Sequence, residues 1–144
     1  MTQIHFCETG VKTSAAVYER MLEDVVEPLN HSLFENINNW CFQQDSAPAH
    51  KARRIQTWLT ANVPDFISTN DWPSGSPDLN PLDYSLWNKL EEHACAHKHQ
   101  NLQSLKKGIE KSARELPLST IREAIDQWPK RLRRCVQTKG DHFE

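Results

Sequence analysis

Long apolar runs are missing from this chain. No stretch approaches the roughly 18 to 20 apolar residues needed to cross a bilayer, so no transmembrane segment and no membrane partner are expected. A dominant charge is missing too. The formal net charge is −2 over 144 residues, which gives no whole-molecule field to attract nucleic acid or a lipid surface. The opening "MTQIHFCETG" has neither a basic start nor an apolar stretch, so no secretory signal is expected there. Cys7, Cys41, Cys95 and Cys135 never form a CxxC pair, and isolated cysteines fit a reduced cytosolic or nuclear setting better than a disulfide framework. Internal repeats and low-complexity tracts are absent as well. With 38 % hydrophobic residues, the expectation is one soluble domain long enough for a real core.

The patterning predicts alternating strands and helices, followed by helices alone. Ile4 and Phe6 alternate with polar neighbours as a short strand would, closed by Gly10. Thr13 or Ser14 can cap a helix in which Val17, Met21, Leu22, Val25 and Val26 keep helical spacing, and Pro28 is expected to end it. A strand from Trp40 to Asp45 comes next, then a helix over 49–62 with Ile55, Trp58 and Leu59 on one face. Phe66 and Ile67 read as a last short strand. Three helices are expected at roughly 81–96, 101–115 and 118–136. Strand–helix alternation followed by helices points to an α/β layer with helices packed on it. The natural division falls into a strand/helix part, 1–71, and a turn-plus-helices part, 72–144.

Two stretches carry chemistry. In "CFQQDSAPAHKARR" (41–54), a core-type strand ends in two amides and the acid Asp45, and His50, Lys51, Arg53 and Arg54 follow closely. Asp45 can simply open the turn "DSAP" by accepting backbone N–H groups two residues on. In "WPSGSPDLNPLDYSLW" (72–87), Pro81 suits the first position of a helix, Asn80 suits its N-cap, and Asp83 falls where a side chain can reach back to the cap N–H. Leu79 and Tyr84 are placed for a hydrophobic staple. Each acid therefore has a purely structural use. Taken together they suggest another one. Both are carboxylates at element ends, each wrapped in a proline-containing turn, and hard cations such as Mg²⁺ need oxygen ligands held this rigidly. Two such ions about 3.5–4 Å apart serve phosphodiester chemistry, and the cations after Asp45 would neutralise a phosphate backbone.

"QQDSAPAH" followed by "WPSGSPDLNPLDYSLW" resembles the catalytic core of mariner-type (Tc/mariner superfamily) DNA transposases of the DDE/D class, and the similarity runs over nearly the whole chain. The resemblance implies an RNase H-like α/β catalytic domain and metal-dependent cleavage and strand transfer of DNA, with Mg²⁺ or Mn²⁺ as cofactor. It implies transposon ends and target DNA as partners, a homodimer as the one protein assembly to consider, no small-molecule substrate, and a nuclear location. Matched by position, Asp45 resembles the family's second catalytic acid and Asp83 its third. Thirty-seven residues separate them, and the last acid is Asp rather than Glu, as in the aspartate branch. The first catalytic Asp of the family belongs upstream of the "HFCETG" strand, and Glu8, Asp24 and Asp65 do not sit in an equivalent context. The helix-turn-helix domains that bind terminal repeats have no counterpart either. The chain alone is therefore expected to be inactive and poorly cooperative, with strand edges left unpaired. Two other readings stay open: a DNA-binding or protein-interaction module without catalysis, and a non-functional remnant.

Other features weigh less. His93 and His97 share a helix face, but Cys95 points to another and no HExxH is present, so zinc is not expected. Cations outnumber acids between Lys106 and Lys139. "QWPKRLRRCV" concentrates Lys130, Arg131, Arg133 and Arg134 as candidate phosphate contacts; a solvated helix surface explains the same pattern. His50 could approach DNA or the metal site, or cap the following helix. The five tryptophans read as core and turn anchors.

Overall fold

The computed structural model describes residues 4–8, 10–34 and 39–140. They divide into two compact units, one spanning Ile4–Gly75 and one beginning at Ser76.

In the first unit, α1 (Ala15–Met21) starts where Ser14 accepts the Val17 N–H through its side chain at 3.3 Å, which satisfies one of the donors that every helix start leaves unpaired. The helix does not stop at Pro28 as the sequence suggests. A π-helical stretch, Leu22–Val26, leads without a break into α2 (Glu27–Phe34), and the Glu27 N–H bonds back five residues to Leu22 O. In a regular α-helix the Pro28 ring would meet the carbonyl four residues earlier; the wider turn makes room for it. The next helix, α3 (Arg53–Asn62), begins later than the expected 49, because Ala52 is extended at φ −59°, ψ 135° and residues 47–52 form turns. Leu22, Ile55 and Leu59 are completely buried, and with Tyr18, Ala49 and Val63 they form the core of this unit; Trp40, Phe42, Trp58 and Phe66 pack against it. Burial of each large aliphatic contributes roughly 1.5–3 kcal/mol.

The expected strands are barely realised among the described residues. Phe42 pairs with Phe66 in one parallel bridge, with the Phe42 N–H donating to Asp65 O at 2.8 Å and the Ile67 N–H to Phe42 O at 3.0 Å. Pro64 has no N–H to extend this pairing at one end. At the other, the chain turns back, with the Trp72 N–H on Ser68 O at 3.0 Å. Ile4–Phe6 belongs to no ladder among the described residues. The α/β layer is thus represented here by helices and a single bridge.

In the second unit, a 3₁₀ turn (Pro77–Leu79) leads through Asn80 and Pro81 into a π-helical stretch, Leu82–Leu86, and α4 (Trp87–Ala94). Then come α5 (Leu102–Glu115), closed at its start by reciprocal Asn101–Ser104 bonds, and α6 (Leu118–Gln137). Leu79, Leu90, Ala94, Ala113, Leu116 and Ala124 are buried. Gly108 allows a close approach: a Cβ there would lie 2.8 Å from His99 Cε1, and His99 Nε2 in turn sits 2.5 Å from the Ala94 carbonyl.

Candidate active site

Asp45 lies in the loop that leaves the Phe42 bridge. Its Oδ1 accepts the Ala47 N–H at 2.9 Å, the turn that the sequence suggested. The same oxygen also lies 2.6 Å from His50 Nδ1, which reaches the Asp45 backbone carbonyl at 3.3 Å as well. The Asp45 side chain is 49 % exposed while that of His50 is only 19 % exposed. The His50 ring lies on Tyr18, with centroids 4.1 Å apart and planes tilted by 37°, and its carbonyl accepts Gln56 Nε2 at 3.0 Å and Gln44 Nε2 at 3.4 Å. The Tyr18 hydroxyl donates to Gln44 Oε1 at 2.8 Å. Burial, with the nearby Asp45 charge added, pushes the Tyr18 hydroxyl far above its ordinary range. His50, a candidate DNA contact or helix cap from sequence, therefore turns toward Asp45. Lys51 and Arg53 are exposed, whereas Arg54 pairs with Glu19 of α1.

Asp83 stands in the first helical turn after Pro81, where a carboxylate is favoured by the helix dipole. Its return bond differs from the expected capping box. The Asn80 N–H goes to Pro77 O at 3.0 Å. Asp83 Oδ2 instead accepts the Asn80 side-chain amide at 2.9 Å, while Asn80 Oδ1 caps the Leu82 N–H at 3.2 Å. α6 fixes this turn from both sides. Trp128 Nε1 donates to Leu79 O at 2.9 Å, and the Arg131 guanidinium donates to Asp78 O at 3.1 Å. Arg131 also lies 4.0 Å above the centre of the Tyr84 ring, and the Tyr84 hydroxyl donates to Ala124 O at 2.5 Å. Burial raises the Tyr84 hydroxyl from its ordinary range and the Arg131 charge opposes that. Of the candidate phosphate contacts on α6, Lys130, Arg133 and Arg134 are exposed, while Arg131 is half-buried and committed to Asp78 and Tyr84.

Asp45 thus belongs to the first unit and Asp83 to the second. Their carboxylates are hard oxygen donors of the kind Mg²⁺ and Mn²⁺ take, so in chemistry both residues fit a divalent ion. No cluster of three or more His, Cys, Asp and Glu able to hold a metal occurs among the described residues. His93, Cys95 and His97 are exposed, and His99 is turned to the Ala94 carbonyl. No helix among the described residues is long and apolar enough to cross a membrane. Tyr18, Gln44 and Gln56 were not singled out by sequence reasoning, whereas Trp128, read among the core and turn anchors, does anchor the turn at Leu79. For Tyr18 the signal was there, as a polar-tipped aromatic four residues before Leu22 on the buried face of α1.

Residues 2–106 match the family model described as DDE superfamily endonuclease. The Tcb2 transposase of Caenorhabditis briggsae is 32 % identical over 124 residues, covering 86 % of this chain and 43 % of that protein. The crystal structure of the catalytic domain of Mos1 mariner transposase, a protein of Drosophila mauritiana, is similar with a TM-score of 0.82 at 24 % identity, covering 97 % of this chain and 69 % of that one. The Mos1 mariner paired-end complex with Mn gives a TM-score of 0.78 at 28 % identity, over 94 % of this chain and 39 % of that one. The chain belongs to the DDE superfamily of endonucleases, in its mariner-type transposase branch. It spans less than half the length of the Tcb2 relative.

Proposed function

We propose that this chain supplies Asp45 and Asp83 as two of the three carboxylates of a DDE/D transposase centre, in a protein that cleaves and joins DNA phosphodiesters at transposon ends and target. The third acid comes from outside residues 1–144. In this reading the chain belongs to an RNase H-like α/β core, to which 1–71 contributes the Asp45 part and 72–144 the Asp83 part, and the protein works in the nucleus, with a second copy of itself as partner. One observation carries the reading: the matched stretch 2–106 contains both aspartates. The hydrogen bonds described above support it. They hold one oxygen of each carboxylate, Oδ1 of Asp45 and Oδ2 of Asp83, and turn neither acid into a core group.

Bound Mg²⁺ or Mn²⁺ supplies activation of the attacking water or hydroxyl and stabilisation of the leaving oxygen. The residues of this chain do the holding. Asp45 and Asp83 provide oxygens on restrained turns, and Lys51, Arg53, Lys130, Arg133 and Arg134 line the DNA backbone.

Thermal melts of the chain with and without excess Mn²⁺, beside an Asp45→Asn/Asp83→Asn double variant, test this. Binding only to the folded state raises its stability by RT ln(1 + [L]/Kd), so Mn²⁺ should raise the midpoint of the wild type and not that of the variant. A midpoint indifferent to Mn²⁺, with DNA affinity untouched by the double substitution, would replace catalysis with a DNA-binding or protein-interaction role. No transition and no DNA binding would mark a remnant.

A further inference from the structure

We propose that His50, backed by Tyr18, is a positioning residue for Asp45: it fixes one carboxylate oxygen so that the other is presented to a divalent cation. The inference rests on the reading of Asp45 as a metal-holding acid and adds the device that aims it.

Asp45 Oδ1 accepts the Ala47 N–H at 2.9 Å and lies 2.6 Å from His50 Nδ1, which also reaches the Asp45 backbone carbonyl at 3.3 Å. The Ala47 N–H bond and the close approach of the His50 ring, both on Oδ1, fix the plane and the direction of the carboxylate, and Oδ2 takes neither contact. His50 can do this because its own freedom is removed three times over. Its ring rests on Tyr18. Its carbonyl is held by Gln44 and Gln56. Its side chain is largely enclosed, at 19 % exposed, which suits a supporting role better than a contact with a DNA backbone.

Tyr18 completes the brace. It is 7 % exposed in the core of the first unit and sits beside the fully buried Leu22. Its ring supports His50, and its hydroxyl donates to the side chain of Gln44, the residue just before Asp45. One core side chain on α1 thereby steadies the loop on both sides of the acid. Burial keeps the Tyr18 hydroxyl protonated, so it remains a donor to Gln44 Oε1. Partners that orient metal ligands typically matter by on the order of 10- to 100-fold in metal affinity when removed.

Four single variants of the full chain test the proposal: His50→Ala, His50→Asn, His50→Gln and Tyr18→Phe. The Asn side-chain nitrogen stands close to where histidine carries Nδ1, whereas the Gln nitrogen stands where it carries Nε2. Two readouts are taken by NMR. The first, without metal, is hydrogen exchange of the Ala47 amide. The second is Mn²⁺ titration followed by paramagnetic broadening around Asp45. His50→Ala and His50→Gln should lose Ala47 protection and weaken Mn²⁺ binding by about tenfold or more. His50→Asn should restore both, and Tyr18→Phe should weaken both by a factor of a few. A merely structural role would move thermal stability in all four without sorting Asn from Gln.

Ala47 protection and Mn²⁺ affinity unchanged in His50→Ala would overturn the proposal, as would equal losses in Asn and Gln. Should His50→Ala fail to fold, Tyr18→Phe and the Asn/Gln pair decide the question. If the amide responds as expected but Mn²⁺ broadens nothing around Asp45 even in the wild type, the metal-holding reading of Asp45 fails and the cation-positioning role falls with it.

Discussion

Replacing Arg131 by methionine separates two uses of the basic run on α6. The substitution keeps an unbranched stem and removes the guanidinium. A cation over a partly exposed tyrosine contributes about 0.5–1 kcal/mol, here at 4.0 Å from the Tyr84 ring centre. The 3.1 Å bond to the Asp78 carbonyl adds about 1–1.5 kcal/mol net. The expected loss is therefore about 2 kcal/mol. Unfolding entropy near 2.1 cal/mol/K per residue gives roughly 0.3 kcal/mol/K for a chain of this length, so the midpoint should fall by about 7 °C. Arg133→Gln, at an exposed position, should stay within about 0.5 kcal/mol of wild type. The salt dependence of DNA binding should show the reverse order. Removing one cation that neutralises a phosphate reduces the slope of log K against log salt by about 0.9, so Arg133→Gln should flatten it and Arg131→Met should not. Calorimetry and a salt titration of binding to a generic duplex suffice. A melt for Arg131→Met within a degree of wild type, together with a flatter salt slope, would refute the structural assignment of this arginine.

Leu22→Ala, at a position with no exposure, should cost about 2–5 kcal/mol in urea unfolding. Gly108→Ala would drive a methyl to 2.8 Å from His99 Cε1, so a loss of about 1–3 kcal/mol is expected, most of it recovered in the Gly108→Ala/His99→Ala double variant; no recovery would mean that the helix backbone rather than the histidine takes the strain. Stability should also decline in alkali. The raised pKa of Tyr18 keeps the folded state protonated while the unfolded chain ionises near its ordinary 10.0. The contribution is therefore whole below that pH and fades as the pH rises above it. Tyr18→Phe should flatten this decline in pH-dependent melts.

Helices were legible in the sequence because their signals are local. Asn101 and Ser104 close the start of α5 within four residues, and Ile55 and Leu59 mark the buried face of α3. Strands were not, because alternation shows which face is apolar and says nothing about a partner. Phe42 found Phe66, and neighbours that look equally strand-like found none among the described residues. Pro28 misled for a different reason: its penalty assumes a regular helix upstream, and the widened turn at Leu22–Val26 avoids it. Arg131 was grouped with Lys130, Arg133 and Arg134 by composition. Its spacing separates it from them, since Ala124, Trp128 and Arg131 recur at four and three residues on one helix face, the face that meets the Asp83 turn.

The structural uses of the two acids were also legible, and they do not compete with the catalytic one. A turn at Asp45 needs an oxygen that accepts the Ala47 N–H, and asparagine supplies one as well as aspartate does. The Asn80 amide at Asp83 equally needs only an acceptor. Charge is the surplus in both places: the helix dipole at Asp83 and the imidazole at Asp45 use it only weakly, and a divalent cation uses it fully. Asp45→Asn and Asp83→Asn as single variants should therefore leave the metal-free chain within about 0.5–1 kcal/mol of wild type, while each removes the Mn²⁺-dependent rise in the melting midpoint. The Asp45 variant is the sharper case, because the negative charge there also faces His50 at 2.6 Å. That carboxylate is half exposed, so the pair should contribute no more than about 1 kcal/mol. A metal-free loss of about 3 kcal/mol or more for Asp45→Asn, the range of a broken buried pair, would show that the charge at residue 45 is held for the fold, and the case for a cation there would lose its foundation.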